Sequence, residues 1–354
     1  MNSLMLRLRA IAGRFACSRA RIQVALLLAV ATLAVLGSAV PAAAQNRFWL
    51  TDAGGAFASS TNWSATNGGA AGAAPPAAAD SANFTRSATY TVSFSADVTN
   101  TALLVANGTV TFDLNGNDYL ATAASAVSVG TAALSCKLTI RDGLLAVDTG
   151  TDTIGIGTVV GANGNLTLST GGRIGDGVID PILAVGVFGT GTLMVEDNGR
   201  IDAASLSIGT NEGSTGTVTI GSPNAVVDAS GNVTVGSSGT GTLTVQNAGI
   251  LNTAGTSVLG SLLGSNGTVT VAGVATNWSQ AGSATLGDAG DAALTVQAGG
   301  TVSTAGTVSI GNAATGIGTG VVTGTDANWN MASTLNVGAA GLGNLVVSSG
   351  GRVS

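Results

Sequence analysis

The chain is 354 residues long, with 54 glycines, 45% apolar residues and only 8% charged ones. It has no histidine, which excludes Ser-His-Asp and Cys-His catalysis and His-ligated zinc or haem. Twelve basic residues stand against eighteen acidic ones, with Lys137 the only lysine; this argues against nucleic acid as a partner, because phosphate binding is built on clustered cations.

Residues 1–44 read as an export signal. Arg7, Arg9, Arg14, Arg19 and Arg21 come without an acid, an apolar run extends from Val24 to Leu36, and Pro41 then precedes Ala42-Ala43-Ala44. Small residues at Ala42 and Ala44 fit the A-x-A cleavage pattern, so the cut is expected after Ala44. The rival is an uncleaved anchor, since the run approaches the ~20 residues that span a bilayer. Without the leader arginines the remaining chain keeps seven basic residues and all eighteen acids, a formal charge of −11. Sixteen of those acids are Asp, the acid suited to tight turns. Cys17 leaves with the signal, so Cys136 stands alone and no internal disulfide is expected.

Residues 45–120 hold nine aromatics: Phe48, Trp49, Phe57, Trp63, Phe84, Tyr90, Phe94, Phe112 and Tyr119. Within them Tyr90 to Phe94 and Thr109 to Leu114 alternate apolar and polar residues, the period of β-strands. This zone is expected to be an aromatic-rich irregular β cap, or the first irregular turns of the fold.

Residues 121–354 repeat. An apolar-x-apolar-Gly step ends at Gly130, Gly157, Gly186, Gly209, Gly236, Gly260, Gly287, Gly311 and Gly338, at intervals of 27, 29, 23, 27, 24, 27, 24 and 27 residues. A second step, Leu193-Met-Val195, Leu243-Thr-Val245, Leu294-Thr-Val296 and Leu345-Val-Val347, recurs every 50 or 51 residues. Fixed periods of this size mean a solenoid or a propeller. Propeller blades need four antiparallel strands in ~40–45 residues, whereas each unit here holds about three short strands and no helical periodicity. An all-β fold follows, a parallel β-helix (β-solenoid) of 24–27-residue rungs in 51-residue double units. Nine such rungs at ~4.8 Å each would stack to roughly 43 Å.

In that fold Leu193, Leu243, Leu294 and Leu345 form one interior column and Val195, Val245, Val296 and Val347 another, while Met194, Thr244, Thr295 and Val346 point outward. Two irregularities stand out. Gly320 replaces an interior Val, which implies a shifted or underfilled rung, and the stretch 157–186, carrying Arg173, Asp176 and Asp180, is two residues longer than its neighbours.

The run Val235-Gly-Ser-Ser-Gly-Thr-Gly-Thr-Leu-Thr-Val-Gln-Asn-Ala-Gly249 and the segment Gly267 to Trp278, with its Asn-Trp pair, resemble the repeats of type V secretion (autotransporter) passengers and PEP-CTERM-type surface proteins. The opening Trp49…Asn62-Trp63-Ser…Pro76…Asp80…Phe84 resembles the segment that precedes such repeats, so the resemblance covers roughly 48–354. It implies a right-handed β-helix displayed outside a Gram-negative cell, at the outer membrane or secreted. It also implies a C-terminal translocator barrel or surface-sorting tail; neither precedes Ser354, so a fragment is expected.

Some β-helices degrade polysaccharides with paired carboxylates. Here Asp148 with Asp152, Asp176 with Asp180, and Glu196 with Asp197 and Asp202 are the candidates, weighed against a plain role in turns and solubility. Trp278 and Trp329, 51 residues apart, read either as a sugar- or receptor-contacting stripe or as core aromatics, and Cys136 reads as a small buried residue. No catalytic, cofactor or metal site is assigned. The expected function is a non-enzymatic surface passenger or stalk in adhesion or surface structure, with a host-surface or glycan ligand and self-association as possible partnerships and a polysaccharide-active enzyme as the alternative.

Overall fold

A computed structural model describes residues 43–354; the segment expected to be an export signal, apart from its last two alanines, lies outside the described residues. The chain from Ala44 onward winds as a parallel β-solenoid of about ten turns. Each turn contributes one strand to each of three sheets, of 13, 12 and 11 strands. One turn is Val233–Val235, Thr240–Gln246 and Ile250–Thr253; the next is Ser257–Leu259, Asn266–Ala272 and Asn277–Gln280. Every strand pairs in parallel with its counterparts one turn away, without interruption from Ser81–Phe84 onward, so the aromatic-rich and repetitive zones share the same sheets.

The interior columns follow from alternation. In the second sheet Leu138, Leu166, Leu193, Val218, Leu243, Val269 and Leu294 stack directly, all at 1% exposure or less, while Met194, Thr219, Thr244 and Thr270 face outward. Each Leu therefore touches apolar neighbours above and below, and stability accumulates along the stack. At the first corner all nine recurring glycines, Gly130 through Gly338, have φ between 62° and 86°, a conformation that is costly for residues with a Cβ. Gly236 shows the second reason for glycine: a Cβ there would lie 2.2 Å from the carbonyl oxygen of Asn266 on the next turn.

The 27/24 alternation has a local origin. From corner glycine to the first inward position of the second sheet takes seven residues in Gly209–Gly216 but five in Gly236–Gly241, and the following leg is eleven to Val227 but ten to Leu251. Two of the longer corners are closed by serines: Ser214 Oγ donates to Asn211 O at 2.7 Å, and Ser265 Oγ to Leu262 O at 2.7 Å. The long stretch 157–186 places its extra residues after the third sheet, where the loop through Val178, 85% exposed, protrudes.

Gly320 does not shift its turn. It pairs in register with Leu294 and Leu345, and a Cβ on it would meet Trp329 Cζ3 at 3.0 Å. The indole of Trp329 fills the volume that the missing side chain leaves. At the amino-terminal end, Trp49, Phe57, Trp63, Phe84, Tyr90, Phe94, Phe112 and Tyr119 form one aromatic cluster with ring centroids 5.0–6.1 Å apart. Trp49 belongs to the strand Asn46–Trp49, which pairs antiparallel with Trp63–Ser64. Trp63 Nε1 donates to Phe57 O at 2.7 Å and Trp49 Nε1 to Thr51 O at 2.8 Å, so both indoles cover the first turn with their N–H groups satisfied.

Positions 320 and 329 are expected to couple energetically. Trp329→Ala alone should cost about 3–5 kcal/mol and Gly320→Leu alone about 1–3 kcal/mol through overpacking. Combining Gly320→Leu with Trp329→Leu should recover much of both losses. Denaturant unfolding of the variants checks this, and strictly additive losses would show that the indole and the glycine do not share one space.

Candidate functional site

Three neighbouring strands of the third sheet, Val98–Asn100, Asp118–Ala121 and Leu144–Val147, turn Tyr119 and Leu145 into the core and present Asp118, Leu120, Leu144 and Ala146 outward. Two loops leaving this sheet are long. The path from Leu145 to Gly157, like that from Ile174 to Gly186, takes twelve residues, against nine in the later turns such as Leu251 to Gly260. These loops wall in a groove of about 350 Å³. Its floor is apolar (Leu120, Leu144, Ala146), and four carboxylates border it: Asp97, Asp118, Asp148 and Asp176.

The carboxylates are not equivalent. Asp97 Oδ1 accepts the backbone N–H of Asp118 at 3.0 Å. Partial burial pushes the Asp118 carboxyl above its ordinary value; the charges of Asp97 and Asp176 add to the rise and Arg173 opposes it. Asp176 moves the other way, because Oδ1 accepts the N–H groups of Ile179 at 2.9 Å and Val178 at 2.8 Å, which favour the charged form. One groove thus holds two carboxyls whose pKa values are displaced in opposite directions. Among the described residues no group of three or more His, Cys, Asp or Glu side chains is arranged to hold a metal ion.

The structure divides the other candidate acids. Asp152, 4% exposed, accepts the N–H of Thr149 at 3.0 Å and its hydroxyl at 2.8 Å, so it builds a turn. Asp180 likewise accepts the Gly177 N–H at 2.9 Å. Neither paired candidate forms a dyad; instead one member of each pair, Asp148 and Asp176, reaches the shared groove. Asp202 sits away from Glu196 and Asp197 in function. It is buried, Arg200 donates to it from Nε at 3.0 Å and from Nη2 at 2.5 Å, and Arg200 Nη2 also reaches Asp228 of the next turn at 2.5 Å. Asn252 Nδ2 extends the ladder by donating to Asp228 at 2.6 Å. This is a clamp between turns; the hydrogen bonds to Asp202 are the main cause that raises the Arg200 pKa above its ordinary value.

Trp278 and Trp329 are 1% and 0% exposed and alternate in one column with Leu251, Val302 and Val353. Their indole N–H groups donate to Thr253 at 3.2 Å and Thr304 at 3.3 Å. They are core residues, and no aromatic stripe faces solvent at these positions. Cys136 is buried in the corner column between Gly108 and Gly164, and burial pushes its thiol up to about 11. Asp97 and Asp118 escaped sequence reasoning, since neither belongs to a repeated column; the two extra residues of the stretch 157–186 were the available signal.

The fold defines a β-solenoid protein. Compared with known proteins, the chain matches no family model, no curated protein sequence and no solved structure. Function is accordingly read from geometry and chemistry.

The two shifted carboxyls give an ordering that NMR titration checks. As pH rises, Asp176 should ionise before Asp118, and Asp97→Asn should bring the Asp118 midpoint down toward the ordinary value of 3.8. Since the folded-state pKa of Asp118 is raised, its protonated form favours folding, and that contribution is lost as pH climbs through the midpoint. Asp176, depressed, contributes above its unfolded value and loses that contribution as pH falls. Identical midpoints for the two residues would overturn this description of the groove.

Proposed function

We propose that the chain is an extracellular, non-enzymatic β-solenoid passenger or stalk of a bacterial surface protein, acting in adhesion or surface structure. The observation that carries it is the uninterrupted stack of parallel turns, in which Asp152 and Asp180 build turns and Asp202 joins a clamp between turns. Such a stack folds by adding one turn to the last, which suits a chain delivered end first across a membrane. A single cysteine beyond the leader fits the same route, since no preformed disulfide loop has to be threaded. The repeat motifs that resemble autotransporter and PEP-CTERM-type proteins support the surface assignment.

The acid-bordered groove supports a second reading, a polysaccharide-cleaving enzyme with Asp118 as proton donor and Asp176 as the ionised partner. Two experiments separate the readings. Protease added to intact cells should remove the chain from its outer surface, while a chain protected until lysis would refute surface display. Purified protein incubated with acidic and neutral polysaccharides should release no oligosaccharide. Release that Asp118→Asn abolishes would replace the stalk by the enzyme.

A further inference from the structure

The outward column of the first sheet runs in register through Leu104, Ser128, Gly155, Ala184, Ser207 and Thr234. Its members Ser128, Gly155 and Ala184 are small, and they line a depression on this face. Gly155 is bare for a reason: a Cβ there would lie 2.7 Å from the Thr158 methyl and 3.7 Å from Val187 Cγ2, so both side chains lean over the strand. The resulting hollow has a volume of about 240 Å³, and its polar lining residues are Ser125, Ser128, Thr153 and Thr158. Thr158 Oγ1 donates to Gly130 O at 2.9 Å and keeps its lone pairs free to accept.

Phe188 stands at the edge of this hollow. It is 50% exposed, the only exposed aromatic among the described residues. Nothing in the repeat demands it, because the corresponding places in the other five-residue corners are Ser238, Ala289 and Ala340. This exposed ring stands at one corner beside the stretch of the sheet where the outward column is smallest, with the exposed Val160 on the corner of the preceding turn.

No charged side chain lines the hollow. A charged ligand would find no counter-ion there, which distinguishes the site from the acid-bordered groove on the third sheet. One apolar ring face, fringed by hydroxyls that both donate and accept, matches a pyranose ring, whose C–H face is apolar and whose rim is hydroxyls. The volume lies below the ~300–1,000 Å³ of pockets that enclose drug-sized ligands, so it suits one sugar ring with the remainder of a chain outside. We propose that this hollow is a subsite for one neutral pyranose unit of a glycan, with Phe188 stacking on the ring and the hydroxyls of Ser125, Ser128 and Thr153 reading its rim. The biological meaning rests on the surface-displayed reading given above, whereas the binding itself is a property of the purified chain.

The test is retention of the purified full chain on immobilised neutral oligosaccharides of gluco-, galacto- and manno-configured pyranoses, with polygalacturonate as the charged comparison. Saturable binding to at least one neutral member is expected. Phe188→Ala should weaken it at least tenfold, and Phe188→Trp should preserve it. Leu263→Ser, which removes an exposed apolar side chain on a different corner, should leave binding unchanged; thermal unfolding of each variant confirms that the solenoid is intact. Absence of binding to every neutral member, binding indifferent to Phe188→Ala in a folded protein, or preference for polygalacturonate would each overturn the proposal. Surface protease shaving is independent of this assay, so the display reading stands or falls separately.

Discussion

The distance between successive backbones, ~4.8 Å, is the constraint on which the rest of this molecule depends. Interior side chains reach that packing easily because alternate residues of each strand turn inward. Corners do not, since there the chain changes direction while the next turn presses a carbonyl oxygen against it. At Gly236 the oxygen of Asn266 occupies the place of a Cβ, and at Gly241 a Cβ would meet the Gly236 nitrogen at 2.3 Å. The high glycine content is therefore a steric requirement of stacking and carries no sign of disorder. The same closeness lets Arg200 span Asp202 and Asp228 from consecutive turns, so charge as well as apolar surface is shared between neighbours.

A stack stabilised by neighbours has ends, and an uncovered turn exposes its interior. In the last described turn Val337 and Val347 are each 46% exposed, whereas their partners one turn back, Ile310 and Val322, are fully buried. The opposite end shows the remedy: Trp49, Trp63 and Phe57 lie over the first regular turn, and the edge strand is occupied by an antiparallel pairing. Aromatics are concentrated in residues 45–120 because large rings close an open end where no further turn can.

The periodic part of this architecture was legible in the residues: three strands per unit, the nine corner glycines and the Leu and Val columns all occupy the positions that spacing implied. What periodicity could not convey was how each unit divides its length. The interval from Gly130 to Gly157 is 27 residues, as in later turns, yet it is shorter at its first two legs and longer in its last. Equal totals hid the loop that walls the groove. Gly320 illustrates the opposite case, in which an apparent defect vanishes because Trp329, nine residues later in sequence, returns to the same layer and fills it. Contacts made by side-chain volume across the interior leave no mark in the spacing of motifs.

Departures from the repeat and the candidate functional surfaces coincide. The groove bounded by Asp97, Asp118, Asp148 and Asp176 exists where the loops after the third sheet lengthen, and the hollow beside Phe188 exists where an outward column shrinks to Ser128, Gly155 and Ala184. Both lie in the first half of the rod, and the turns from Gly209 onward hold to the regular alternation. A perfectly repeated turn offers the same weak surface many times, which suits a spacer. A recognition site requires that one turn differ from its neighbours, because only a difference can place a carboxyl pair with opposed titration or a lone exposed ring at a single point. The regular half of the rod repeats one surface, and the irregular half holds both places where a turn differs from its neighbours.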